Sequence, residues 1–183
     1  KESVDMVRQS RRRGAMVSCE VTPHHLWFDD SRLPDKVNPP IRKGRTMVAA
    51  LVTAIKDGTV SCIGTDHAPH NAEDKPRRCR YGWAGNRLCR VLHQIVPHGG
   101  LPLEMLSFLM SSGPAQVLGL DEQGRLVPGF DADIVLVDTD HMFTVHADEL
   151  HSKSKNCPYD GESHGQVMMT IKGGKVTYQK DKQ

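Results

Sequence analysis

Apolar positions in the first two thirds of the chain follow two alternating periods. Val48, Leu51, Val52 and Ile55 recur at i, i+3, i+4 and i+7, which predicts a helix over Thr46–Asp57 with Gly58 just past its end. Val17, Cys19 and Val21 alternate with polar residues and predict a strand over Met16–Val21 that stops at Thr22-Pro23-His24-His25. Thr59–Ile63 is a short β-branched and apolar run that reads as a buried strand. Ser3–Arg13 reads as a helix closed by Gly14. Further helices are expected from Asn86, with Leu88, Val91, Leu92, Ile95 and Val96 as one stripe, over Leu103–Met110 behind Pro102, and over Pro114–Leu118. Pro39-Pro40 makes the connection at Lys36–Arg42 extended and stiff.

The pattern then changes to strands alone. Arg125–Val127, Ala132–Val137, Gln166–Ile171 and Lys175–Gln179 are strand-like, and Gly173-Gly174 joins the last two as a hairpin. Strands alternating with helices imply parallel βα units, and an all-β tail implies a small separate sheet. Residues 1–119 are therefore expected to form one α/β portion and residues 120–183 a C-terminal β domain. Two strands cannot close a barrel of eight units, which takes about 250 residues.

Composition narrows the class without naming an activity. A net charge of +2, from 24 basic and 22 acidic residues, gives no case for nucleic acid or membrane binding. Arg11-Arg12-Arg13 is expected on the solvated end of a helix. No run is apolar and long enough to span a membrane. Five cysteines, an odd number without C-x-x-C spacing, argue against a disulfide framework or a zinc ribbon and fit a reducing, cytoplasmic setting.

The chemistry concentrates in Gly64-Thr65-Asp66-His67-Ala68-Pro69-His70, which places an acid and two histidines where a strand ends. That edge is where barrel enzymes gather catalytic side chains. Adjacent His24 and His25, if at a strand end, point opposite ways and read as hydrogen-bonded supports rather than a metal pair.

Five segments occur in order: Glu20-Val21-Thr22-Pro23-His24-His25, Lys36–Arg42, Thr65–His70, Gly129–Val135 and Ser154–Gly161. Together they resemble the C-terminal part of a dihydroorotase, a metal-dependent amidohydrolase with a (β/α)8 barrel. The resemblance implies interconversion of dihydroorotate and N-carbamoyl-aspartate at a two-metal zinc centre. It implies Asp66 as a zinc ligand and general acid/base, His70 on the substrate carboxylate, and Asn38 on the pyrimidine ring. Tyr81 and Gly82 would offer backbone contacts, and His67 would support Asp66. The family's other metal ligands lie on earlier strands. The chain is thus expected to hold the last two barrel strands, to supply part of the site, and to be inactive without an N-terminal barrel half. Possible further partners are a second copy or aspartate transcarbamoylase.

Two departures stand out. In dihydroorotases the loop after the Asp-His motif usually carries Ala-Pro and a Glu; here Cys79–Arg87 keeps two glycines at family spacing but has Arg87 in place of the Glu. Gly113-Pro114-Ala115 replaces the family's Asn-Pro-Ala. A non-catalytic scaffold related to dihydroorotases, or a hydantoinase or allantoinase, are the alternatives.

Overall fold

The computed structural model describes residues 1–29, 40–41, 45–68, 100–152 and 163–180, together with residues 155, 157, 159 and 161. These form two compact units. The first takes residues 1–87 and 144–162, the second residues 88–143 and 163–183. The helical segment after residue 100 lies in the same unit as the terminal strands.

The first unit opens with α1 (Glu2–Arg12), followed by β1 (Glu20–Val21), α2 (Pro23–Trp27), α3 (Arg45–Lys56) and β2 (Cys62–Ile63). β1 and β2 are parallel, with Glu20 beside Cys62 and Val21 beside Ile63. They are the two ends of a βαβ crossover, as the alternating pattern requires. Both strands are shorter than predicted. Met16 is fully exposed and Val17 is partly so, because no neighbouring strand pairs with them among the described residues. Pairing fades rather than stops: Ser61 N–H donates to the Cys19 carbonyl at 2.7 Å. α3 follows its apolar period, burying Ala54 and Ile55, and Gly58 takes the left-handed backbone (φ 77°) that ends it.

Two arginines fasten α1 to the α3–β2 connection. Arg8 donates to Asp5, Asp57 and Thr59. Arg11 donates to the Val17 and Gly58 carbonyls and to Ser61 Oγ, all at 2.9–3.0 Å. Arg11 is therefore a structural clamp and not the solvated charge expected from the basic run. Elsewhere in this unit Phe28 packs on Tyr159, ring centroids 5.1 Å apart, with Trp27, Ile41 and Cys157 around them. Lys155 Nζ donates to the Asp148 and Leu150 carbonyls. The segment around Cys157 and Tyr159 thus contributes core and anchorage.

In the second unit α4 (Leu103–Ser107) runs through a π-helical turn (Phe108–Ser112) into α5 (Gly113–Leu118). A Schellman motif ends α5, with Gly119 N–H on the Gln116 carbonyl and Leu120 N–H on the Ala115 carbonyl. Arg125–Val127 is not a strand; it enters a turn closed by Phe130 N–H on the Val127 carbonyl, and Leu126 is exposed. β3 (Ile134–Thr144), β4 (Ser163–Lys172) and β5 (Lys175–Gln179) form one sheet in that order. β4 and β5 are the predicted hairpin, with Gly173 and Gly174 both at positive φ. Asp133 locks it: its carboxylate accepts the Gly173 N–H at 2.8 Å and pairs with Lys172. The Gly129–Val135 motif accordingly serves the hairpin.

Candidate active site

β2 delivers the chain to the site. Gly64 N–H donates to the Val21 carbonyl at 3.1 Å, so strand pairing persists one residue past Ile63. Two residues later Asp66 lies exposed, with φ at +47°. Among the described residues it is the one non-glycine with positive φ. Asp tolerates this conformation better than most side chains, yet it costs energy and collects at functional turns. His67, half-buried, follows it.

The neighbouring strand end differs from expectation. Thr22 stands at the N-terminus of α2, and Pro23 opens the helix, so His24 and His25 are helical rather than extended. Their rings lie 4.4 Å apart, centroid to centroid. Both contact Thr22 Oγ1, His24 through Nε2 at 3.1 Å and His25 through Nδ1 at 2.5 Å. The hydroxyl has one proton, so it can donate to one ring and accept from the other. His24 is fully buried. Burial first, and the neighbouring His25 second, push its pKa down to about 3. It is a neutral support under the strand end, as expected. The signal for the helical turn was present in the Thr-Pro pair, which matches an N-cap followed by a first-turn proline.

Cys19 and Cys62 flank Glu20. Burial raises both thiols; at Cys19 the Arg11 charge offsets part of this, and the Glu20 charge raises both. They stay protonated and are poor nucleophiles.

Asn38, Arg42, His70, Tyr81, Gly82 and the helix expected from Asn86 lie outside the described residues. Of the sequence-predicted site, Asp66 and His67 are the residues the structure places. An Asp carboxylate at this edge suits one metal position. Among the described residues, however, no three His, Cys, Asp or Glu gather into a metal-binding group. They do not by themselves make up the expected zinc centre.

A cavity of about 810 Å³ lies within the second unit, lined largely by aliphatic side chains such as Leu106, Met110, Leu126 and Ile134. Its acid, Asp133, is engaged by Lys172 and Gly173, so the cavity offers no free acid–base pair among the described residues. No described helix is long and apolar enough to cross a membrane.

A strand-end acid on a left-handed turn beside a parallel neighbour matches the edge where βα-barrel enzymes gather catalytic side chains. In agreement, the profile of the amidohydrolase family matches residues 5–178, and the chain belongs to that family. Within it, the chain is similar to dihydroorotases. It is 40% identical to the dihydroorotase of Clostridium botulinum (strain Eklund 17B / Type B), over 98% of this chain and 45% of that protein. It is 35% identical to the dihydroorotase of Anaplasma phagocytophilum (strain HZ), over 97% of this chain and 42% of that protein. Among solved structures it resembles the L-hydantoinase (dihydropyrimidinase) from Arthrobacter aurescens, with a TM-score of 0.89 and 28% identity, over 99% of this chain and 43% of that one. The D-hydantoinase from a Thermus species shares the fold, with a TM-score of 0.88 and 21% identity over 98% of this chain and 43% of that one. The chain spans less than half the length of the curated relatives named here.

Proposed function

We propose that this chain forms part of a dihydroorotase, which opens and closes the cyclic amide between dihydroorotate and N-carbamoyl-aspartate. The observation that carries the proposal is Asp66, on a left-handed turn past β2, in a chain 40% identical to a dihydroorotase over nearly its whole length. Asp66 takes the proton from the attacking water and hands it to the departing amide nitrogen. His70 holds the substrate carboxylate, and Asn38 hydrogen-bonds the ring. Tyr81 and Gly82 offer backbone contacts. Zinc, completed by ligands outside this chain, would lower the pKa of the attacking water toward about 7 and polarise the amide carbonyl. Residues 1–119 belong to the barrel and residues 120–183 to a β domain, and the chain needs the rest of the barrel for activity.

The test is turnover by the full-length polypeptide that carries this chain. Wild type should hydrolyse dihydroorotate, and Asp66→Asn should lose about 10³-fold or more in kcat with the fold intact. His70→Ala should raise KM more than it lowers kcat. Equal rates in wild type and Asp66→Asn would overturn the proposal. The likeness to the L-hydantoinase supports a second reading, in which the substrate is another cyclic amide such as a hydantoin. Faster turnover of hydantoin than of dihydroorotate would favour it.

A further inference from the structure

The connection from α2 to α3 carries Asn38, and a residue at each side of it rests on one ring from far along the chain. Phe28, at its start, lies 5.1 Å from the Tyr159 ring, centroid to centroid, and Ile41, towards its end, packs against the same pair. Tyr159 is 1% exposed. It is also held from its own side. Gly161 N–H donates to the Val145 carbonyl at 2.8 Å and closes the segment 145–161, which belongs to the first unit. Val145 and Leu150 in that segment are buried, and Lys155 Nζ ties to the Asp148 and Leu150 carbonyls. A buried ring in such a frame cannot swing away as an exposed side chain can. Between Ile41 and Asn38 stand only Pro39 and Pro40. Each proline fixes its own φ and restricts the residue before it, Asn38 included. A shift at Ile41 is therefore carried towards Asn38 instead of being absorbed between them.

We infer that Tyr159 is a positioning residue for the substrate contact at Asn38: its ring holds Phe28 and Ile41 together, and the stiff Pro39-Pro40 arm ties Asn38 to that anchor. The inference rests on the ring contact proposed for Asn38. It gives the Ser154–Gly161 motif a task at the site as well as in the core. A contact made equally in the ground state and the transition state is read in KM rather than in kcat.

The experiment uses the full-length polypeptide that carries this chain, with Tyr159→Phe, Tyr159→Leu, Ile41→Ala, Asn38→Ala and the double variants Tyr159→Leu/Asn38→Ala and Ile41→Ala/Asn38→Ala. Leu109→Ala, in the core of the second unit, is the control for lost stability alone. Amide hydrogen exchange over residues 36–42 is the arm independent of activity. It should rise in Tyr159→Leu and Ile41→Ala and stay at the wild-type level in Tyr159→Phe and Leu109→Ala. Unchanged exchange in both Tyr159→Leu and Ile41→Ala overturns the inference whatever the enzyme turns over. Ile41 is half-buried, so Ile41→Ala carries the test if Tyr159→Leu fails to fold. In the kinetic arm, assayed well below every Tm, Tyr159→Leu and Ile41→Ala should raise KM for dihydroorotate about three- to tenfold, the worth of one hydrogen bond, with kcat within about twofold of wild type. Tyr159→Phe keeps the ring and should hold KM within about twofold. Leu109→Ala should lower Tm and leave KM unchanged. Each double variant should show the KM of Asn38→Ala alone, because the positioned group is gone. Losses that multiply in the double variants, or a KM rise in Leu109→Ala as large as in Tyr159→Leu, overturn the inference. An unchanged KM in Asn38→Ala overturns the ring contact and the positioning role with it. Raised exchange without any wild-type turnover of dihydroorotate overturns the proposed substrate and supports the anchor.

Discussion

Arg8 grips Asp57 through two nitrogens on one oxygen, Nε at 3.0 Å and Nη2 at 2.5 Å from Oδ2. The other carboxylate oxygen accepts from the Thr59 N–H and hydroxyl. Burial raises the Asp57 carboxyl, but the hydrogen bonds from Thr59 and Arg8 outweigh it and hold the group below the ordinary carboxylate range. A depressed folded value means that the stabilisation is present above the unfolded pKa of about 3.9 and is lost as pH falls through the folded one. Asp57→Asn should lower Tm by roughly 2 °C or more near neutrality and by less at pH 3. Thermal melts across pH 3–7 check this; an equal deficit at both ends would refute it.

His24 gives a second, separable pH dependence. It is buried and neutral, with its pKa pushed down to about 3 by burial and then by His25. The unfolded histidine titrates near 6.5. Between these values the unfolded chain binds more protons, so stability rises with pH by on the order of 1 kcal/mol per unit at most and levels off above about 6.5. Urea unfolding at pH 4, 5, 6 and 7 should show this slope in wild type and a flatter one in His24→Gln. Parallel curves would show that His24 contributes no such linkage.

The left-handed backbone at Asp66 separates stability from chemistry. Asp66→Gly and Asp66→Asn should fold with wild-type Tm or slightly above, because both residues accept positive φ. Asp66→Val should lose about 1–2 kcal/mol or more, since a β-branched residue resists this conformation. Chemical denaturation of the three variants is sufficient to compare them.

Gly124 combines positive φ (80°) with lack of room. A Cβ there would meet the Ser111 carbonyl oxygen at 2.7 Å and the Ala115 Cβ at 2.9 Å. Ser112 Oγ also donates to the Gly124 carbonyl at 2.7 Å. Gly124→Ala should cost about 1–3 kcal/mol through strain and overpacking. Gly129→Ala, with positive φ but open space, should cost less. Paired urea titrations would expose a reversed order.

Local signals survived best. The α3 stripe, its glycine stop, and the Gly173-Gly174 hairpin are set by residues a few positions apart, and each appears where the pattern placed it. The strand over Met16–Val21 shrank because a strand is defined by its neighbour, and alternation alone does not supply one. Arg125–Val127 failed for the same reason and because turns surround it. The candidate acid was legible from its place after an apolar run. Its left-handed backbone was not, since no neighbouring residue pattern signals positive φ at an Asp. The helical setting of His24 and His25 was encoded in Thr22-Pro23.

The α1 clamp also bears on the order of folding. Arg8 and Arg11 reach partners 47 to 51 residues further along the chain at Asp57, Gly58, Thr59 and Ser61. Closing so long a loop costs entropy before any of these bonds repays it. α1 is therefore expected to dock after α3 and β2 have met. Interactions made that late act chiefly on the unfolding rate. Removing either arginine should shorten the lifetime of the native state while leaving the speed of folding nearly unchanged.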